Sequence, residues 1–457
     1  MPLHIDVFRA EVSRTDPHQR KWLLVSREVA GLVFGPASGR NFAIRYWNSG
    51  VVETGAGGAP RFTLTLEHPG ALRRMLLMPS QLHLAEGYVY GDFDIEGDLG
   101  AASLVAAVVR ERLTVPGALL RLMRLLLSLP TSHQRRVDAR RALGDAREAP
   151  LHSQERDAAA VRAHYDVGND FYSLFLDERM VYSCAYYDTG TEPLEEAQLA
   201  KFEHVCRKLR LQPGERLLDI GCGWGGLILH AAAHHGVIAT GITVSPAQAE
   251  LATERIADAG LSDRCRVELR DYRAANDLPP FDKVASIGMA EHVGEARLAE
   301  YFNQAWRLTR PGGLFLNHCI TKDRADPHTV AKLLTWREAD FTKRYVFPDG
   351  ELGPLSTLIR AGLDAGFETR DVESLREHYA RTLREWVRRL EAAKDKAMAL
   401  VGPELFRIWR LHMAGGAASF ETGRLTIHQV LFARPDAAGA VPALPLTRVD
   451  LYRRAPS

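Results

Sequence analysis

The alternation of strand-like and helical segments after residue 215 most restricts the folds that this chain can adopt. Short apolar runs predict strands at Arg216 to Ile220, Val237 to Thr243, Cys265 to Leu269, Phe281 to Ile287 and Leu314 to Ile320. Helical patterns separate some of these runs, at Gly226 to His235, Ala247 to Ala259 and Glu295 to Leu308. Strands that alternate with helices form parallel sheets with helices on both faces. The sequence therefore predicts an α/β fold with a doubly wound, mostly parallel sheet.

The length of the chain, 457 residues, exceeds what one hydrophobic core usually serves, so two domains are expected. From about Phe42 to Leu66, short apolar stretches broken by Gly, Asn and Pro are typical of strands and turns. Helical periods follow at Gly100 to Val109 and Ala118 to Leu129, whereas Arg141 to Ala160 is polar and has no clear period. We predict a smaller α+β domain over residues 1–140, a linker over 141–160 and a larger α/β domain over 161–457.

A glycine-rich motif, LLDIGCGWGG from Leu217 to Gly226, joins a buried strand to the start of a helix. Such glycines let the backbone pass close to a ligand, and the helix start offers free N–H groups. A dinucleotide site would place an acid after the second strand, but that strand ends in Gly-Ile-Thr-Val-Ser at 241–245. The acid instead precedes the glycines, at Asp219. This DxGxGxG arrangement is similar to the S-adenosylmethionine loop of class I methyltransferases.

Without that acid, Thr243 and Gln248 are the nearest candidates to hold the ribose hydroxyls of a nucleotide-like cofactor. Asp271, Tyr272 and Arg273 follow the third strand, where the adenine ring would be enclosed. A solvated loop remains an alternative for this last segment, since charged loops are common.

Charge and cysteine usage argue against several other classes of protein. The formal net charge is +1, which gives no global attraction to nucleic acid. The five cysteines are scattered and form no CxxC pair, so neither a disulfide framework nor a metal site is predicted. The N-terminus lacks a signal-peptide pattern, and the apolar segment Val115 to Pro130 is too short to span a bilayer. We expect a cytoplasmic protein whose membrane contact would be peripheral, on the inner face.

Several motifs occur in a fixed order: HYDVGNDF at 164–171, YSCAY at 182–186, the loop at 219–226 and EHVG at 291–294. Together they resemble the cyclopropane-fatty-acyl-phospholipid synthases and the related mycolic acid cyclopropane synthases, over about Arg162 to Arg434. The resemblance implies a Rossmann-like class I methyltransferase domain whose last strand, near Leu425 to Phe432, is antiparallel. It also implies transfer of a methyl (methylene) group from S-adenosylmethionine to the cis double bond of an unsaturated phospholipid acyl chain, which forms a cyclopropane ring.

The resemblance adds residues to the cofactor site. The segment from His164 to Asp170 would cover the cofactor, and Tyr182 and Ser183 would touch its methionine end. The predicted cofactor-binding residues are Tyr165, Tyr182, Ser183, Asp219, Gly221, Gly223, Thr243, Gln248, Asp271 and Tyr272. Trp224, Tyr186, Tyr187 and Trp336 would line an acyl or cation pocket, or belong to the core.

In the resembled family a bound bicarbonate ion removes the proton from the carbocation that methyl addition creates. Carried over, the residues around this ion are Cys184, Glu291, His318, the backbone of Ile320, and Tyr379. Glu291 would accept a proton from the hydroxyl of bicarbonate, while His318 and Tyr379 would donate hydrogen bonds to its other oxygens. Each also has a structural alternative: Cys184 as a small buried residue, Glu291 as a helix start, and His318 as a core histidine.

The segment from Leu84 to Leu99 looks like the end of the N-terminal domain of full-length bacterial synthases, which implies a lipid-associated role for that domain. Residues 110–141 contain eight arginines against Glu111 and Asp138, and we expect them either to dock on anionic lipid or simply to face water. The sequence departs from the family at Gln154 to Ala160, before the cover, and at Cys319.

Three alternatives to cyclopropane formation stay open. The same cation could lose a different proton and give a methylene- or methyl-branched acyl chain. A small-molecule N-methyltransferase shares some of the motifs, and a non-catalytic lipid-binding protein could keep the fold. The double-bond position, the head group and the formation of a homodimer also stay open.

Overall fold

The computed structural model of the protein describes residues 16–47, 52–55, 58–77, 80–102, 105, 117–131, 149–165, 167–322 and 341–452. The chain forms two compact units. The first comprises residues 1–139, 330–346 and 401–418, and the second comprises 140–329, 347–400 and 419–457. Residues 141–148 of the expected linker lie outside the described residues, and its last part, from Gln154, is helical.

The strands of the described residues, in chain order, are β1 (Ala43–Tyr46), β2 (Val52–Glu53), β3 (Phe62–Leu66), β4 (Phe93–Gly97), β5 (Arg216–Ile220), β6 (Ile238–Thr243), β7 (Cys265–Leu269), β8 (Phe281–Ile287), β9 (Thr309–Thr321), β10 (Glu368–Ser374) and β11 (Thr426–Ala433). The helices are α1 (Pro17–Phe34), α2 (Ala71–Leu76), α3 (Gln81–Val89), α4 (Ala118–Ser128), α5 (Gln154–Tyr165), α6 (Asn169–Ser173), α7 (Leu194–Leu209), α8 (Gly226–His235), α9 (Pro246–Asp258), α10 (Leu298–Leu308), α11 (Phe341–Tyr345), α12 (Leu355–Asp364), α13 (Arg376–Ala392), α14 (Lys394–Glu421) and α15 (Val449–Tyr452).

The first unit contains a four-stranded sheet in the order β2-β1-β3-β4, with helices α1 to α4. Strands β1 and β3 are parallel, and the two outer pairs are antiparallel. Helix α1 begins after Asp16, whose carboxylate accepts a hydrogen bond from the N–H of His18, and it ends at Gly35. Alternate residues of β3 are buried, as expected for a strand with one face on the core. The unit is a small α+β domain.

The second unit contains a seven-stranded sheet in the order β10-β11-β9-β8-β5-β6-β7. Strands β5 to β9 pair in parallel, and β11 is antiparallel to both of its neighbours. The predicted fold class, a Rossmann-like class I methyltransferase sheet with an antiparallel last strand, is therefore confirmed. The strand order reverses between β5 and β8, and ligands of such sheets bind at the carboxyl ends of the strands near this point.

Both faces of the central strands are buried, which explains their nearly continuous apolar sequences. In β5, Leu217 belongs to one hydrophobic cluster, whereas Leu218 and Ile220 belong to another. The second cluster also contains buried aromatic rings, among them Tyr301, Phe302, Phe315, Phe367 and Phe432.

Several elements differ from the sequence prediction. Strand β10 is not predicted, and β9 begins five residues before the predicted Leu314. Residues Arg376–Ala392 and Lys394–Glu421 form the two helices α13 and α14, and α14 is itself broken at Gly402, where φ is 80°. In the described part of the chain, no helix is long and apolar enough to cross a membrane.

Candidate active site

The loop after β5 turns sharply at three glycines. Gly221, Gly223 and Gly225 all have positive φ, at 80°, 54° and 80°, which other residues rarely adopt. The N–H groups of residues 221 and 222 both donate to the carbonyl of Ile242, at 2.9 and 3.0 Å. A Cβ on Gly241 would lie only 2.6 Å from the Sγ of Cys222. The loop is thus fixed against β6 by backbone hydrogen bonds and by close packing.

One cavity of the second unit lies at this loop. All the residues predicted to bind the cofactor are among those that line it: Tyr165, Tyr182, Ser183, Asp219, Gly221, Gly223, Thr243, Gln248, Asp271 and Tyr272. They come from α5, the segment after α6, the carboxyl ends of β5, β6 and β7 with the residues that follow them, and the first turn of α9. The structure therefore brings together residues that the sequence separates by more than a hundred positions; their role in binding stays a prediction.

Two polar pairs shape one part of the cavity. The hydroxyl of Thr243 donates to the Oε1 of Gln248 at 2.8 Å, and both side chains are buried. The carboxylate of Asp271 accepts two hydrogen bonds from the guanidinium of Arg273, at 2.9 and 2.6 Å. Arg273 also donates to Asp157, at 3.0 Å. These contacts hold the predicted ribose and adenine residues in place.

Lys201 is a buried cation that sequence reasoning missed. It lines the cavity, and its Nζ donates to the hydroxyl of Ser183 at 3.2 Å. Burial lowers the pKa of Lys201 to about 8, while Asp219 and Asp177 oppose this effect. Burial also raises the pKa of Asp219 to about 7, and in the described structure its Oδ1 has no hydrogen-bond partner. Asp219 and Lys201 form a buried pair of opposite charge at the base of the loop.

Aromatic rings form one wall of the cavity. The ring of Tyr182 stacks on Trp386 with 5.1 Å between centroids, and Tyr165 packs edge-on against Trp224 at 5.7 Å. Trp224 is held by a 2.8 Å hydrogen bond from its Nε1 to Asn169 in the predicted cover. Of the cover, Asp166 lies outside the described residues, as does Trp336. The aromatic rings that line the cavity present electron-rich faces, which attract cations.

Glu291 follows β8 in a short 3₁₀ turn, close to Met289 and His292, which line the cavity. Its Oε1 accepts a hydrogen bond from the backbone N–H of Ile320 at 2.8 Å. Its Oε2 is inaccessible to solvent and has no hydrogen-bond partner among the described residues. Burial raises the pKa of Glu291 to about 7. The side chain is therefore both fixed by β9 and able to exchange a proton near neutral pH.

His318 lies two residues before Ile320 on β9, so both point to the same face of the sheet. Its Nδ1 lies 3.4 Å from the Nε2 of Gln429, and its Nε2 has no hydrogen-bond partner among the described residues. Burial holds the pKa of His318 well below its usual value, so the imidazole is neutral at pH 7. One ring nitrogen is thus left for a further partner.

Cys184 and Tyr379 complete the predicted base site. The thiol of Cys184 is fully buried and donates to the carbonyl of Ala185 at 3.2 Å. Burial raises the pKa of Cys184 and of Tyr379, and ionisation of Cys184 or Glu291 would raise that of Tyr379 further. The structure therefore places Tyr379 within electrostatic reach of both. None of the five predicted base-site residues is among those lining the cofactor cavity.

A family model described as mycolic acid cyclopropane synthetase matches residues 152–430, and a domain of unknown function matches residues 33–114. A probable fatty acid methyltransferase of Pseudomonas putida is 40% identical over 90% of this chain and 96% of its own length. The chain belongs to the mycolic acid cyclopropane synthetase family. It is an S-adenosylmethionine-dependent methyltransferase of the cyclopropane synthase type, a family that acts on lipid acyl chains.

Solved structures agree with this assignment of the second unit. The cyclopropane synthase MmaA2 from Mycobacterium tuberculosis has a TM-score of 0.57 and 34% identity, over 60% of this chain and 97% of that one. The mycolic acid cyclopropane synthase CmaA1, complexed with SAH and CTAB, has a TM-score of 0.56 and 35% identity, with the same coverage.

Proposed function

We propose that this family member transfers the methyl group of S-adenosylmethionine to the cis double bond of an unsaturated acyl chain in a phospholipid, and closes a cyclopropane ring. One observation carries the proposal. Two buried polar atoms, the Oε2 of Glu291 and the Nε2 of His318, have no partner in the described structure, and Glu291 adjoins the cofactor cavity. The cation that forms when a methyl group adds to an alkene must lose a proton, in ring closure as in methylene formation, and such a buried pair can hold a base for that step.

S-adenosylmethionine, when bound, supplies an electrophilic methyl group on a positively charged sulfur. The cavity suits it, because the unpartnered Oδ1 of Asp219 can accept a hydrogen bond from its ammonium group. Lys201 offers a positive charge for its carboxylate, and the positive-φ glycines leave room along the loop. Thr243 and Gln248 would bind the ribose hydroxyls, and Asp271 and Tyr272 would enclose the adenine.

Positive charge then passes from the sulfonium to a carbon of the acyl chain, and the protein must protect it. The rings of Tyr165, Tyr182 and Trp224 line the cavity, and their faces stabilise a cation. The same rings keep water from a carbocation, which water would otherwise trap as an alcohol.

We propose that bicarbonate is the base, bound by Cys184, Glu291, His318, Ile320 and Tyr379. When bound, it would accept a proton from the newly added methyl group. The phenol of Tyr379 and the neutral imidazole of His318 can donate to an anion that carries one hydroxyl, and the free Oε2 of Glu291 can accept from that hydroxyl. The thiol of Cys184, which here donates to Ala185, would have to turn toward the ion to contribute. Ile320 already gives its N–H to Glu291, so in this structure it orients the carboxylate.

Docking of the first unit on an anionic bilayer would bring the enzyme to phospholipid. On α4, Leu119, Leu120 and Leu127 are exposed, whereas Leu122 and Leu126 are buried. Arg121 is ion-paired with Glu28, and Arg124 is exposed. Residues 110–116 and 132–141 of the arginine-rich segment lie outside the described residues. The exposed leucines beside Arg124 support an interfacial position of α4.

The proposed reaction is tested by expressing the protein in cells that contain unsaturated phospholipids and examining the extracted acyl chains by NMR. We expect cyclopropane ring protons. The relatives named fatty acid methyltransferases make a methyl-branched product the second candidate, and NMR separates it and the methylene isomer from the ring. Acyl chains that remain unchanged, with the protein folded and S-adenosylmethionine present, would contradict the proposal.

The base site is tested by assays in carbonate-depleted buffer with Glu291→Gln and His318→Gln. Both variants should lose turnover by at least a hundredfold while their affinity for S-adenosylmethionine changes little. Glu300→Gln is the matched control, because Glu300 is an exposed carboxylate on α10 that pairs with Arg297. Full turnover of both variants without bicarbonate would refute the assignment.

A further inference from the structure

A cluster of metal-binding side chains lies between α7 and α8, apart from the cofactor cavity. The Sγ of Cys206 and one ring nitrogen each of His230 and His235 all lie within 4.8 Å of one another. The carboxylate of Glu203, three residues before Cys206 on α7, joins them. Its Oε2 lies 3.4 Å from the Nε2 of His230 and 3.0 Å from the Nε2 of His235. One thiol and two imidazoles therefore converge, and the carboxylate of Glu203 contacts both imidazoles.

The spacing is close to that of a tetrahedral zinc site. Zinc binds nitrogen and oxygen at about 2.0–2.2 Å and sulfur at about 2.3 Å, so neighbouring ligand atoms are roughly 3.3–3.8 Å apart. The two distances from Glu203 to the histidines fall near this range already. The Sγ of Cys206 lies within 4.8 Å of the histidine nitrogens, so a change of its side-chain torsion would have to bring it closer for zinc to bind.

The surroundings suit a cation. Cys206 is fully buried in a hydrophobic cluster, whereas the side chains of His230, His235 and Glu203 are 9%, 19% and 31% exposed. An ion can thus enter from the surface and be covered by the core on its inner side. Arg207 binds the Oε1 of Glu203 at 2.7 Å, which leaves Oε2 directed at the two histidines. Orientation of a ligand by such a second contact is usual in metal sites.

We propose that Glu203, Cys206, His230 and His235 bind one zinc ion in a closed, four-coordinate site that fastens α7 to α8. The thiol of Cys206 releases its proton to solvent as the sulfur–zinc bond forms. All four positions are filled by protein, so the ion stabilises the fold and takes no part in catalysis. Cysteine spacing does not reveal such a site, because it contains one cysteine and its other ligands come from two helices.

The competing interpretation is a hydrogen-bonded cluster of Glu203 with two histidines and no metal. Titration with Co²⁺, a spectroscopic substitute for zinc, distinguishes the zinc site from the metal-free cluster. The full chain is purified without a histidine tag and treated with a chelator before the titration. We expect one equivalent to bind with the thiolate-to-cobalt charge-transfer band and the strong visible bands of a tetrahedral site. Zinc should displace the cobalt and raise the melting temperature.

Two variants and one matched control make the result specific. Cys206→Ser should abolish the charge-transfer band, and His235→Gln should weaken Co²⁺ binding at least tenfold. His235→Gln changes a side chain near the surface, so it serves if Cys206→Ser does not fold. His234→Gln is the control, since its ring lies 4.7 Å from that of His230 but outside the ligand set. Substoichiometric binding by the wild type, or an unchanged band in Cys206→Ser, would overturn the proposal.

Discussion

Replacing Glu291 by Gln should stabilise the protein at alkaline pH while it abolishes turnover. In the folded protein Glu291 keeps its proton up to about pH 7, whereas in the unfolded chain a glutamate ionises near pH 4.5. Between these values the folded state binds more protons than the unfolded state. The free energy of unfolding therefore falls as the pH rises through this window. Above pH 7 the full cost of a buried carboxylate is present.

The size of this effect follows from the pKa. Each pKa unit corresponds to about 1.4 kcal/mol, so a rise from 4.5 to about 7 costs up to about 3 kcal/mol at pH 8. Gln is neutral and keeps an oxygen for the N–H of Ile320, so the variant should recover most of this energy. For a unit of this size we expect a gain of roughly 5 °C in melting temperature at pH 8 and little gain at pH 5.

Thermal melting of both proteins at pH 5 and pH 8, in carbonate-depleted buffer without cofactor, measures the difference. Asp219 has a pKa raised in the same way, but it is present in both proteins and its effect cancels. Glu300→Gln, at an exposed site, should show no such gain. A difference in melting temperature that is equal at the two pH values, or a less stable Glu291→Gln at pH 8, would refute the reasoning.

Three further predictions concern the loop, its packing and the docking helix. Calorimetry should find that Gly223→Val reduces the affinity for S-adenosylmethionine at least tenfold. Gly214→Val should leave it unchanged, because Gly214 also has a positive φ but lies outside the cavity lining. Equal affinities of the two variants would contradict the cofactor assignment. Gly241→Ala should lower the free energy of unfolding by about 1–3 kcal/mol in denaturation experiments, because the new Cβ meets the side chain of Cys222. Adding Cys222→Ala should restore part of this stability. Losses that simply add would argue against a contact between the two side chains. Arg124→Gln should reduce sedimentation with anionic vesicles at low salt, and unchanged binding would contradict electrostatic docking by α4.

The elements predicted with correct bounds are the buried parallel strands β5 and β8, the parallel edge strand β7 and helix α8. Arg216–Ile220 and Phe281–Ile287 are short, mostly apolar runs bounded by polar turns, so the sequence alone marks their ends. Strand β10 reads ETRDVES and has no fully buried residue, because it lies at the edge of the sheet. Its conformation depends on pairing with β11, and the local sequence does not indicate this pairing.

The residues of the candidate site likewise include some that the sequence predicts and some that it does not. Residues inside ordered motifs, such as Asp219 and Tyr182, could be predicted from the sequence, and the structure gathers them around one cavity. Lys201 could not, because it lies in the charged segment LEEAQLAK, where a lysine is expected to face water. Its burial depends on Ser183 and Asp219, which reach it only in the folded chain.

The two edges of the seven-stranded sheet bear on how copies of this protein can associate. Both edge strands carry charged side chains: Arg266 and Glu268 on β7, and Glu368, Arg370, Asp371 and Glu373 on β10. Charges on an edge strand oppose the addition of a strand from another molecule, since the approaching chain would have to strip them of water. Extension of this sheet is therefore disfavoured at both ends, and a homodimer of this enzyme would have to form through other surfaces.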